Sequence, residues 1–136
     1  MKNKFLFIFG IFIFSITLSS EYSNDIKIKS GTIEFIKESN KINFLNNVEI
    51  DSDFVKIIAE SAIYDDASSV ISLEGRPSMI KSNKKDNTFD GKAEKILFFN
   101  DQKVHLIGNA SMQYENISIS SNLIVFNPQT GKISSD

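Results

Sequence analysis

The sequence predicts an all-β protein whose strands stack around one shared apolar core. Three observations carry that prediction. Apolar and polar residues alternate along most of the chain, the period-2 pattern of half-buried strands, and no window shows a convincing helical period. One pattern recurs four times at a spacing of about 30 residues: Phe35, Tyr64, Phe98 and Phe126 each end an apolar run, a polar turn follows, and Ile42-Asn-Phe44, Ile71-Ser-Leu73, Val104-His-Leu106 or Ile133-Ser-Ser resumes it. A unit that short cannot bury its own apolar face, so neighbouring units must share a core. The composition agrees, with 12 Phe, no Cys and no Trp among 136 residues.

In chain order, Ile26-Lys-Ile28-Lys opens the first alternating strand after a short lead-in at residues 21–25 expected to be disordered. Ile33 and Phe35 share a face, residues 37–41 form a turn, and Ile42 and Phe44 resume the alternation through Asn46-Asn47 to Val48 and Ile50. Asp51-Ser52-Asp53 is a turn whose Asx side chains can bond their own backbone. Residues 54–64 are rich in β-branched side chains and read as strand, followed by a turn at 65–69. The second unit runs through Ile71, Leu73, Gly75, Met79 and Ile80 to a solvated turn at 82–87. The third runs from Phe89 through Ile96 and Phe98, turns at 100–103, and continues through Val104, Leu106, Ala110, Met112 and Tyr114. Lys92-Ala-Glu-Lys95 is compatible with one helical turn, but its flanks are strand-like. A tight turn at Glu115-Asn116 leads to Ile117, Ile119 and the run Leu123–Phe126, and the turn 127–131 precedes Ile133.

Asn46-Asn47, Gly75-Arg76 and Gly108-Asn109 fall at one place within successive units. Gly and Asn tolerate φ > 0 and mark bulges or sharp bends. Three breaks in register predict that successive strands fold along a common crease, giving a V-shaped, two-walled trough lined with apolar side chains.

The N-terminus has the layout of a secretory signal. Lys2 and Lys4 precede an apolar stretch from Phe5 to Leu18, and small residues lead to Glu21. That stretch is short of the roughly 20 residues a spanning helix needs, so cleavage after Ser19 or Ser20 is expected, with a retained membrane anchor as the alternative. Residues 1–20 are thus assigned to a signal peptide and 21–136 to a single exported domain. The net charge of −2 becomes more acidic without Lys2 and Lys4, and the basic residues are scattered, which leaves no footprint for nucleic acid. An exported chain without cysteine has no disulfide framework and depends on its apolar core.

Catalysis finds no support. His105, the single histidine, lies between Val104 and Leu106, so alternation sends it to the opposite face. Asp65-Asp66 and Asp51-Ser52-Asp53 sit where turns are needed and lack the ligand spacing of a calcium loop. No metal site, cofactor site, nucleophile elbow or phosphate cradle is expected. What remains is apolar surface: Ile33, Phe35, Ile42, Phe44, Tyr64, Leu73, Ile96, Phe98, Val104, Leu106 and Phe126 share the repeated phase, with Ala62, Ile71 and Ile124. Such walls either close as a sandwich core or part to accept fatty chains, and periodicity leaves both open.

The same residues resemble the LptA/OstA-like family of periplasmic lipopolysaccharide-transport bridge proteins over about residues 26–136. The matching features are the opening Ile26-Lys-Ile28-Lys-Ser30, the steps Ala59-Glu60 and Ala93-Glu94 before aromatic strands, and the series from Ala62-Ile-Tyr64 to Leu73-Glu-Gly75 and from Ile96 to Gly108-Asn109-Ala110. Departures are Asn46-Asn47-Val48 in place of Gly-Asn-Val, Gly31 in place of an Asp, and Pro77, which must sit at an edge or bulge because it lacks a ladder donor. The resemblance implies a non-enzymatic, open-ended antiparallel β-jellyroll or β-taco. In it the apolar residues above form a groove carrying lipopolysaccharide acyl chains from the inner to the outer membrane. It also implies other transport components at both membranes as partners, and head-to-tail assembly of copies through terminal edges, here Ile26 and Ile28 at one end and Leu123 and Val125 at the other. A membrane-anchored, LptC-like component of the same pathway, a closed-core structural protein and a carbohydrate-binding β protein remain as alternatives.

Overall fold

The computed structural model describes residues 4–17, 25–85 and 88–135. The expected cleavage position and residues 21–24 of the lead-in lie outside the described residues. Among those described, eleven strands form one antiparallel sheet. They are β1 (Lys4–Thr17), β2 (Asp25–Ile36), β3 (Lys41–Leu45), β4 (Val48–Asp51), β5 (Val55–Ala59), β6 (Ser61–Asp65), β7 (Val70–Ser82), β8 (Phe89–Phe99), β9 (Val104–Tyr114), β10 (Ile117–Asn127) and β11 (Lys132–Ser135).

The pairing register shows how this sheet makes two walls. β2 pairs with β4 through residues 27–29 and with β3 through residues 32–36. β7 pairs with β6 through 70–74 and with β5 through 79–82. Between β2 and β7 the sheet therefore forks, with β4 and β5 in one wall and β3 and β6 in the other. Beyond β7, the long strands β8, β9 and β10 run through both walls, and register shifts at 74/78, 92/95 and 121/123 mark the fold line. Pro77 falls inside the first of these shifts, where no ladder donor is required. Lys92–Lys95 is a bulge, not a helical turn, because β8 must change wall there. The run 54–64 is likewise two strands, broken at Glu60 by the same line.

Along the crease the backbone is stitched across the fork. Gly31 N–H donates to the Asn46 carbonyl (3.1 Å), Asn47 N–H to Glu60 (3.3 Å) and Glu60 N–H to Glu74 (2.9 Å). Asn46 and Asn47 have φ of 66° and 67°, and Gly108 and Asn109 have φ of 85° and 44°, so both breaks use the left-handed region. Asn46 Nδ2 donates to Thr32 Oγ1 (2.8 Å), and Asn109 Nδ2 to Glu94 Oε2 (2.6 Å), which ties each bend to the neighbouring strand.

The walls face one another. The Phe89 and Phe126 rings, from opposite walls, meet edge to face at 4.5 Å. Gly91 permits the closest approach: a Cβ there would lie 3.3 Å from Leu106 Cδ1 on the facing wall and 2.9 Å from the Ser111 carbonyl oxygen. The core between the walls includes Ile26, Ile28, Ile50, Ile57, Leu73, Ile96, Val104 and Leu106, all fully buried. β1 pairs along the outer edge of β2 from Lys4↔Ile36 to Thr17↔Asp25, with a register shift between Ile8 and Phe12.

Candidate lipid-carrying groove

In the wall of β3 and β6, register aligns Phe35, Ile42, Tyr64, Ile71, Phe98, Val104 and Phe126 in one row. A second row, one step nearer the crease, holds Ile33, Phe44, Ala62, Leu73, Ile96, Leu106 and Ile124. All eleven groove candidates read from the sequence thus fall on one wall, facing inward. The facing wall contributes Ile28, Ile50, Ile57, Ile80, Gly91, Met112 and Ile119 in register; none is a groove candidate of the sequence, which places Ile28 at an assembly edge instead. Their period-2 signal is equally clear, but the crease shifts their phase relative to the repeated motif. Next to the crease the buried residues are small, Ala59, Ser78, Ala93 and Ala110, as the apex of a V requires.

The two walls are staggered. The β4–β5 turn meets the β8–β9 turn: Ser52 Oγ donates to Gln102 Oε1 at 3.0 Å, and both side chains are buried. Tyr114 of β9 lies against Phe126 (ring centroids 6.0 Å apart), and a Cβ at Gly131 in the β10–β11 turn would be 2.7 Å from its hydroxyl. Each strand of one wall therefore covers later strands of the other. At the N-terminal end this leaves Phe35 and Ile42 only half-buried, beside Tyr64, in a notch of ≈ 450 Å³ that Lys37, Lys41 and Asp66 also line. At the C-terminal end Ile119 is half-buried and Ile117 is 58% exposed, although both carry the inward phase. Apolar lining thus reaches both ends of the trough, while its middle is closed by wall-to-wall packing.

Electrostatics within the trough are quiet. Tyr64 Oη donates to Asp66 Oδ1 (3.4 Å) at the mouth, and burial, then the nearby Asp66 charge, raises its pKa above the usual 10.0. His105 is on the outer face, half-buried against the Phe99 ring at 4.7 Å, and desolvation with Lys103 nearby lowers its pKa from 6.5. Among the described residues no group of His, Cys, Asp or Glu is placed to hold a metal ion, and no helix is long and apolar enough to cross a membrane.

The expected assembly residues are distributed as follows. Ile26 and Ile28 are on β2, side chains in the core and outer backbone edge paired with β1. Val125 pairs with Ser134 of β11, so that the terminal strand of this wall is β11, one strand beyond Leu123 and Val125. In the other wall, residues 117–121 of β10 pair only with β9 among the described residues.

A folded antiparallel sheet with an apolar interior reaching both ends defines an open-ended β-trough. The sequence model of the LptA/(LptD N-terminal domain) LPS transport protein family matches residues 27–132, and the chain belongs to that family. Among solved structures, the crystal structure of LptH from Pseudomonas aeruginosa, described as the LptA homologous periplasmic component of the conserved lipopolysaccharide transport device, superposes with a TM-score of 0.71. The match has 16% sequence identity and covers 81% of this chain and 80% of that one. No curated protein sequence matches.

Proposed function

We propose that this protein is a non-enzymatic periplasmic carrier that passes lipopolysaccharide from the inner to the outer membrane, holding its acyl chains between the two walls. The observation that carries this reading is the two aligned apolar rows of one wall, facing an apolar second wall, with unfilled lining at both ends. Each acyl methylene moved from water into such an interior is favoured by roughly 0.8 kcal/mol. A trough open at its ends thus suits a lipid that must cross an aqueous space. Membership of a lipopolysaccharide-transport family supports the choice of cargo.

Export by a cleaved signal at residues 1–20 completes the reading. Removing it would take β1 from the β2 edge and free a full-length strand edge for a partner. Copies would then join head to tail, with the exposed Ile117 and half-buried Ile119 of one lapping the half-buried Phe35 and Ile42 of the next. Pathway components at each membrane would bind the same edges. The anchored alternative keeps residues 5–18, and the mass of the mature N-terminus separates the two.

The test is site-specific photocrosslinking in cells. A crosslinker at Phe44 or Leu106, both fully buried and inward, is expected to capture lipopolysaccharide, and one at His105 on the outer face is not. Equal capture from His105 and Leu106 would remove the groove from consideration.

A further inference from the structure

The carrying function needs walls that part, yet the middle of the mouth is fastened by a buried polar contact between turns 50 residues apart. Ser52 Oγ donates to Gln102 Oε1 at 3.0 Å, with the Val55 carbonyl as its alternative acceptor at 3.2 Å and the Val55 N–H donating back to it at 3.3 Å. Gln102 is fully buried and Ser52 nearly so. Buried polar groups are costly to leave unpaired, and while the mouth is closed each of these two side chains finds a partner in the other turn.

Both partners are presented by stiff loops. Asn83 Nδ2 donates to Asp51 Oδ1 (2.6 Å), to the Ser52 carbonyl (2.8 Å) and to the Val55 carbonyl (3.0 Å), which locks the β4–β5 turn from its own wall. In the β8–β9 turn, Gln102 adopts φ of 67° and its N–H donates to the Phe99 carbonyl (2.9 Å), while Asp101 Oδ1 accepts from the Lys103 N–H (2.9 Å). Each turn is thus held by its own hydrogen bonds, and the Ser52–Gln102 contact joins one to the other.

We infer that Ser52 and Gln102 form a latch across the mouth, and that lipopolysaccharide acyl chains are admitted sideways by parting it. The inference rests on the proposed carrying function, and it assigns to these two turn residues control over the rate at which the groove fills. An acyl chain passing through the open mouth would leave both polar groups to water, and closure behind it would restore their contact.

The natural chain has no cysteine, so a Ser52→Cys/Gln102→Cys pair in the mature protein can be locked and released cleanly. With purified rough lipopolysaccharide as probe, the oxidised pair should bind at least tenfold more slowly than wild type, and reduction by dithiothreitol should restore the rate. The single variant Ser52→Ala, which keeps the fold and removes the contact, should bind severalfold faster than wild type. Wild-type rates from the oxidised pair, or an unchanged rate in Ser52→Ala, would overturn the latch while leaving the carrying function standing. A wild-type protein that takes up no lipopolysaccharide under these conditions would overturn the carrying function and the latch together.

Discussion

At the scale of single residues, the interior is mostly apolar, and one of its few buried polar side chains makes a sharp test. Ser78 is fully buried beside the crease, and its Oγ has no hydrogen-bond partner among the described residues. A Cβ at Gly75 would lie 2.9 Å from that oxygen, so the pocket around Ser78 is small and tight. An unpaired buried hydroxyl costs about 1–3 kcal/mol, whereas an apolar replacement of similar shape carries no such cost. Ser78→Ala is therefore expected to stabilise the protein by about 1 kcal/mol, read as a higher urea midpoint with an unchanged denaturant slope. A loss of stability would mean that the hydroxyl is satisfied in solution by a group outside the described contacts.

At the scale of elements, the crease is the feature that turns one sheet into two walls, and Gly108 is where its geometry is most demanding. Its φ of 85° lies in the left-handed region, and a Cβ there would come within 2.6 Å of Glu94 Oε1. The Glu94 side chain can shift, but the backbone conformation cannot, and the left-handed region costs an L-residue about 1–2 kcal/mol. Gly108→Ala should therefore lower unfolding stability by about that amount. The Asn109–Glu94 contact should weaken with it, and the change is measurable by denaturation and by faster amide exchange at residues 107–110. The sequence exposed this line through Asn46-Asn47 and Gly108, whose φ values are positive, and through Gly75, which opens a register shift without a positive φ. It did not expose how the sheet forks: residues 54–64 look like one strand, and the change of partner at Glu60, from β4 to β3, makes them two. It also gave all groove candidates on a single wall, since a shift of phase at the bend hides which residues of the other wall point inward. Ser52 and Gln102 were legible only as turn residues. Nothing local in either segment encodes a contact across 50 positions.

At the scale of the whole molecule, the stagger between walls and the position of the terminal strands set how copies can meet. β11 covers only residues 124–127 of β10, while residues 117–121 pair on one side alone among the described residues. The C-terminal end is thus a stepped edge, with Ile117 and Ile119 carrying inward phase beyond the cover of the opposite wall. The N-terminal end is its counterpart, a β2 edge that the proposed removal of residues 1–20 would free, with Phe35 and Ile42 half-buried in the other wall. In the proposed assembly, backbone pairing at such edges would give association, and the overlapping apolar steps would give it direction. A chain starting at Glu21 is expected to associate end to end with rising concentration, as light scattering or sedimentation would record. Ending that chain after Asn127 removes β11 but leaves the buried residues Ile124 and Phe126 in place, so the fold should persist while association weakens severalfold. An Ile117→Lys/Ile119→Lys variant should weaken it as well, without loss of β11, because the lap joint would then place two charges against apolar lining. If the chain from Glu21 stayed monomeric at high concentration and neither change altered its behaviour, the stepped ends would be ordinary sheet termini, and a continuous groove shared by successive copies would have no structural basis.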